Sequence, residues 1–213
     1  MARSVGFVGL GAMGSVMAPL PLKAGFNVIG FDPAIKLNED SGVSQASRLD
    51  DLVSCDAIIL MLPDGKTVAE VATNIASAGY KGLVLDMSSS QPKGTIALAK
   101  QLSKMSIRLI DAPVSGGQKN AALGALTIMV GGRLADLDEI RTLLACFGNA
   151  VHVGPLGAGH AMKALNNYVS AAGLLASMQA VATAQSLGIN PETFTNVING
   201  STGRNNTTEV KLQ

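Results

Sequence analysis

Gly9, Gly11 and Gly14 stand in the run Gly9-Leu10-Gly11-Ala12-Met13-Gly14, directly after an aliphatic stretch and directly before a helical one. Each glycine has its own task at that spacing. The first permits a tight turn, the second lets a pyrophosphate approach the backbone, and the third lets the helix lie close on a sheet. The start of the helix then offers free N–H groups and a partial positive charge to the phosphates. The six residues of this loop are therefore predicted to bind a dinucleotide. Asp32 ends the next aliphatic run. A carboxylate there, about 20 residues beyond the loop, accepts both ribose hydroxyls and repels a 2′-phosphate. Its neighbours are Pro33 and Ala34 rather than an arginine. The cofactor read from these residues is NAD in preference to NADP.

Two further segments carry functional groups. One is Asp111-Ala112-Pro113-Val114-Ser115-Gly116-Gly117, continuing to Ala121, Gly124 and Thr127. The other is Gly157-Ala158-Gly159-His160-Ala161-Met162-Lys163-Ala164-Leu165-Asn166-Asn167. Following the glycine loop in this order, they resemble the β-hydroxyacid dehydrogenase family, of the 3-hydroxyisobutyrate and L-threonate dehydrogenase type. The resemblance covers the whole chain. It implies an oxidoreductase that moves a hydride between NAD and the hydroxyl carbon of a small β-hydroxyacid. It implies Lys163 as the catalytic residue, Ser115, Gly116 and Gly117 as the substrate loop, and Asn167 as a second substrate-site residue. Leu62 and Pro63 match the stretch that passes the adenosine side of the cofactor. Thr67 falls where the family often has a cofactor-contacting asparagine, and Ser89 where it usually has threonine. Family members are longer, so the resemblance implies a C-terminally truncated member that lacks the family's later Lys-Asp motif. An NAD-binding module without turnover is the alternative. An imine reductase on the same scaffold is disfavoured, because those relatives usually replace the lysine and Lys163 is present.

The residues support this chemistry on physical grounds. Hydride removal from an alcohol needs a base for the hydroxyl proton. An amine serves once burial or a nearby cation lowers its pKa. Lys163 precedes a stretch, Ala164 to Pro191, without any charged residue. Asn167 lies four residues on, hence on the same helix face. Successive N–H groups of a Ser-Gly-Gly loop can form an anion-binding nest for a carboxylate. His160 reads as a helix-start residue rather than a catalytic acid.

These groups need strand ends and helix starts to hold them. Aliphatic runs at 5–9, 27–31, 57–61, 83–87, 107–111, 126–130 and 151–153 read as strands. Helical patterns lie between them, at 67–78, 94–104 and 134–147. The strands are continuous apolar runs, as expected when both faces are covered. The alternation predicts an α/β, Rossmann-type fold: a mostly parallel sheet with helices on both faces. Pro19 and Pro21 fall inside the first helix, and an interior proline costs about 3 kcal/mol. That helix is expected to be bent or shortened. Gly154, Pro155, Gly157 and Gly159 form a turn-rich joint. A long helix at 160–187 is expected next, stopped by Gly188, with Pro191 opening another. The expected domains are a Rossmann domain at 1–155 and the start of an all-α domain at 156–213, for substrate and dimerisation.

Composition narrows the partners. The chain has 213 residues, 47% of them hydrophobic, with 16 basic and 15 acidic side chains and a formal charge of +1. That balance gives no global pull toward nucleic acid or anionic membrane. Seven aromatics, five Phe and two Tyr, offer no base-stacking surface. The uncharged stretch is long enough to span a bilayer, but polar residues such as Asn166, Ser170 and Gln179 interrupt it. The start of the chain is too glycine-rich for a signal peptide. Cys55 and Cys146 read as buried free thiols in a reducing compartment. No metal site, membrane or nucleic-acid partner is predicted. A cytoplasmic homo-oligomer is expected, because the long helix would otherwise expose an apolar face.

Overall fold

The structure is a computed structural model and describes residues 4–210 and 212. It divides into two compact units, at 1–163 and 164–213.

The first unit is built on a nine-stranded sheet. β1 (Ser4–Val8), β2 (Asn27–Phe31), β3 (Ser44–Gln45), β4 (Ala57–Leu60), β5 (Leu83–Asp86) and β6 (Arg108–Asp111) run parallel, in the spatial order β3-β2-β1-β4-β5-β6. The chain leaves β1 first on the β2 side and returns on the β4 side. That reversal is the switch point where open α/β sheets bind ligands, beyond the carboxyl ends of the strands. β8 (Leu126–Gly131) joins β6 antiparallel, β7 (Val114–Ser115) pairs antiparallel with β8, and β9 (Gly148–Gly154) pairs parallel with it.

Side chains alternate between the faces of a strand, and two separate cores record this. Val5, Phe7, Ala57, Ile59, Leu83 and Leu85 face one layer, with Met17, Leu137, Ile140 and Leu144. Val8, Ile58, Leu60, Val84 and Leu109 face the other, with Val68, Ala72, Ile75, Leu98 and Leu102. The second layer comes from α2 (Gly65–Ser77) and α3 (Pro92–Ser103). The first comes from α1 (Gly14–Met17), α4 (Gly117–Ala122) and α5 (Leu134–Ala145). Helices thus cover both faces, as the continuous apolar runs require.

The first helix is short for the anticipated reason. α1 stops at Met17, and a 3₁₀ turn over Leu20–Ala24 begins beside Pro19 and Pro21. Proline cannot donate an N–H and its ring clashes with the preceding turn. β3, β7 and α4 are additions to the elements read from the sequence. Cys55 is buried, whereas Cys146 is only half-buried and donates its thiol hydrogen to the Thr142 carbonyl.

α6 (Ala158–Ser186) crosses the division between the units. Within the second unit it ends before Gly188, which has φ +80°. The Asn190 side chain caps α7 (Pro191–Asn199) by accepting the N–H groups of Glu192 and Thr193. The Asn205 side chain accepts the N–H groups of Thr207 and Thr208 at the start of α8 (Asn206–Val210). Leu165, Tyr168, Val169, Leu175 and Met178 of α6 are exposed. Among the described residues, no helix is long and apolar enough to cross a membrane.

One ion-pair cluster ties α5 to β6. The buried Asp136 carboxylate accepts from Arg108 and Arg133, and Arg108 also donates to Glu139. Hydrogen bonds from Arg133, opposed by burial and helped by Arg108, hold the Asp136 carboxyl below its ordinary pKa. A depressed native pKa stabilises the fold above the unfolded-state value and loses that effect as the pH falls through the native one. Asp136→Asn should therefore cost about 2 kcal/mol at neutral pH. In urea unfolding the gap from wild type should shrink with acidification and close below the native pKa.

Candidate active site

The glycine loop leaves β1 at Gly9, where φ is +94°. A side chain at Gly9 would strike the Met61 carbonyl, and one at Gly14 would strike the Gly9 carbonyl. These two glycines thus serve the packing of the chain itself. Gly11 differs, since a Cβ built there meets nothing within 4 Å. Ala12 beside it is exposed. The N-cap of α1, Met13, makes no side-chain capping bond. Open space over a bare backbone, next to an uncapped helix start, is what a pyrophosphate requires. The loop fits a dinucleotide.

Asp32 is joined to this loop. Its Oδ2 accepts from the Leu10 N–H at 2.9 Å, while Oδ1 accepts from Ala34 at 2.9 Å and Ile35 at 3.0 Å. Partial burial raises its pKa, but the three N–H donors outweigh that and hold it below the ordinary value. The carboxylate is therefore ionised at neutral pH, at the end of β2.

Lys163, Ser115, Gly116 and Gly117 line one cavity of about 300 Å³, with Met13, Leu62, Pro63 and Ser89 in the same wall. Five separate segments of the first unit supply them. Ser115 pairs with Thr127 across β7 and β8. Gly116 then turns with φ +140°, and a side chain there would crowd Asn120 and Leu126 at 3.0 Å. Leu62 and Pro63 follow β4 after Met61. Lys163 lies on α6, half-buried, and burial pushes its pKa below that of a free lysine. Ser89 also borders a second cavity of about 430 Å³, between the starts of α2 and α3.

Two residues singled out in the sequence lie elsewhere. Thr67 sits in the first turn of α2, and both its N–H and its hydroxyl donate to the capping Asp64 carboxylate. Asn167 is exposed and belongs to the second unit.

The sequence reading did not anticipate the support beneath the cavity. Ser88 is buried; its hydroxyl accepts the Leu62 N–H and donates to the Leu60 carbonyl. Asp86 Oδ1 accepts the Ser88 N–H, and Oδ2 accepts the Ser90 hydroxyl. Asp86 and Asp111 are register partners at the ends of β5 and β6, and both are buried. Burial raises the Asp111 pKa against the opposing pull of the Gly157 and His160 N–H groups and the His160 ring. A carboxylate closing an otherwise apolar strand was the available signal for both.

Comparison with known proteins agrees with this geometry. Residues 4–154 match the family described as the NAD binding domain of 6-phosphogluconate dehydrogenase. Residues 157–213 match the family described as NAD-binding of NADP-dependent 3-hydroxyisobutyrate dehydrogenase. The chain is 36% identical to 2-(hydroxymethyl)glutarate dehydrogenase of Eubacterium barkeri, over 98% of its own length and 72% of that protein's. It is 37% identical to human mitochondrial 3-hydroxyisobutyrate dehydrogenase, over 94% of its own length and 62% of that protein's. The chain thus spans roughly two thirds of the length of these relatives. A solved structure of Mycobacterium tuberculosis 3-hydroxyisobutyrate dehydrogenase with L-serine superposes with a TM-score of 0.91 at 32% identity, covering 99% of this chain and 74% of that one. With both family matches in order along the chain, on a sheet with this topology and this loop, the protein belongs to the β-hydroxyacid dehydrogenase family.

Proposed function

We propose that this protein oxidises the hydroxyl carbon of a small β-hydroxy carboxylic acid, with NAD as cofactor and Lys163 as the base. The observation that carries the reading is the placement of Lys163 in the lining of one cavity with the Ser115–Gly117 loop and the Leu62-Pro63 and Ser89 walls. Bound NAD supplies the hydride acceptor. The chain supplies binding, orientation and proton transfer. Gly9 to Gly14 hold the pyrophosphate, and Asp32 takes the adenosine ribose. Leu62, Pro63 and Ser89 flank the cofactor as it enters the cavity. Thr67 is assigned to the start of the helix beside this path.

Ser115 and the N–H groups of Gly116 and Gly117 receive the substrate carboxylate, as successive N–H groups of a turn bind anions. Lys163 accepts the hydroxyl proton during oxidation and returns it during reduction. A half-buried amine with no ion pair among the described residues suits this role, because desolvation weakens its hold on the proton. The relatives' names support the substrate class: 3-hydroxyisobutyrate and 2-(hydroxymethyl)glutarate are both β-hydroxy carboxylates, as is L-serine.

Asp32 supports NAD over NADP. Its ionised carboxylate, held by three backbone donors, repels a 2′-phosphate. Fluorescence titration should show NADH binding at least about tenfold tighter than NADPH, a difference of ~1.4 kcal/mol. Equal affinities would overturn the preference.

Lys163→Ala should lower kcat by about 10²–10⁴-fold, with NADH affinity retained. Turnover close to wild type in that variant would sink the assigned role. Oxidation needs the neutral amine, so its rate should rise with pH through a midpoint below that of free lysine. Reduction needs the ammonium and should fall over the same range. Assays on short hydroxyacids alongside the titration also separate an enzyme from a module that binds NADH without oxidising anything.

A further inference from the structure

We propose that Asp111, with His160 and Thr95, is a positioning clamp that sets Lys163 against the Ser115–Gly117 loop. The inference rests on the catalytic reading of Lys163 given above. None of the three residues lines the cavity that holds Lys163.

Asp111 is attached to both walls of that cavity. Through the main chain it precedes Ser115 by four residues. Through its carboxylate it holds the start of α6: Oδ1 accepts the Gly157 N–H at 2.7 Å and Oδ2 the His160 N–H at 2.8 Å. Lys163 follows His160 by three residues, less than one helical turn. The carboxylate is completely buried, so no water can substitute for these donors. The surroundings are cut to fit it. A Cβ at Gly131 would stand 2.5 Å from Asp111 Oδ1. A Cβ at Gly159 would strike the Met129 carbonyl and lie 2.9 Å from Asp111 Oδ2. Bare backbone at both positions leaves room for the carboxylate and for the helix start.

His160 completes the attachment. Its ring is buried, and Nδ1 lies 2.8 Å from the Thr95 hydroxyl of α3. Nε2 has no hydrogen-bond partner among the described residues and lies 3.6 Å from Asp86 Oδ2, and Nδ1 also lies 3.7 Å from Asp111 Oδ2. One hydrogen bond to Thr95 therefore orients the ring, and the ring ties the first turn of α6 to α3. The start of the helix is held at two points, by Asp111 through its backbone and by Thr95 through a side chain.

The test uses Thr95→Val, His160→Leu, His160→Asn and Asp111→Asn. Valine keeps the shape of Thr95 and removes only the hydroxyl. Asparagine at 160 returns a polar atom near the Nδ1 position. Three quantities are read: NADH affinity, kcat with KM, and the pH midpoint for labelling of Lys163 by an acylating reagent, followed by mass spectrometry. Thr95→Val and His160→Leu should lower kcat about tenfold or more, with NADH affinity within about twofold of wild type. Both should move the labelling midpoint upward, toward that of a free lysine. His160→Asn should recover part of both losses. Asp111→Asn places an amide donor against a backbone donor and should have the largest effect. If that variant fails to fold, Thr95→Val decides alone. Unchanged kcat and labelling in Thr95→Val and His160→Leu would overturn the clamp. So would losses that track NADH affinity and melting temperature together, since those mark a merely structural role. Labelling needs no turnover, so it tests the clamp even where an active Lys163→Ala enzyme had refuted the catalytic reading.

Discussion

A carboxylate sealed from water has to be met by donors, and for Asp111 those donors are main-chain N–H groups at a helix start. Moving such a charge out of water costs several kcal/mol unless it is paired or hydrogen-bonded. Charge-assisted bonds to N–H groups are among the stronger hydrogen bonds, and the positive end of the helix dipole adds to them. The helix start has the matching need, because its first N–H groups find no partner within the helix. Each side thus satisfies a requirement of the other. The result fixes the beginning of α6 to the end of β6, although the two lie far apart in sequence.

Most of the scaffold was legible because one physical rule governs it. Strands buried on both faces must be continuously apolar, and the two cores drawn from alternate residues of β1 and β4 show that rule at work. The shortened α1 was equally legible, since Pro19 and Pro21 forbid the ordinary helix. The short elements were not. β7 has two residues and pairs only because β8 lies alongside it, and α4 starts from Gly116, whose φ of +140° ends the strand. Neither leaves a periodic trace.

The candidate site divides in the same way. Residues with a local pattern, such as Gly9 to Gly14, could be read from their spacing. The Lys163 and Ser115 segments needed a family resemblance to be given roles, and the folded structure then gathers them around one cavity. The supporting shell stayed hidden. Ser88, Thr95 and His160 depend on partners 26 to 65 residues away, and nothing in a linear pattern announces such a pairing. His160 reads from the sequence as a helix-start residue, which is true of its backbone. Its ring proved to be a buried contact as well.

The bonding of Asp32 carries a cost for anyone redesigning cofactor choice. The carboxylate proposed to take the ribose is also the acceptor for three backbone N–H groups, one of them from the glycine loop. Under that proposal, specificity and loop geometry are stored in the same two oxygen atoms. A replacement that merely removes the negative charge strands the Leu10 donor, at about 1–3 kcal/mol if no water reaches it. Admitting a phosphorylated cofactor here is consequently a coupled problem. The substitute has to be neutral or cationic toward the ligand and still present an acceptor toward its own loop, or a second substitution has to supply one.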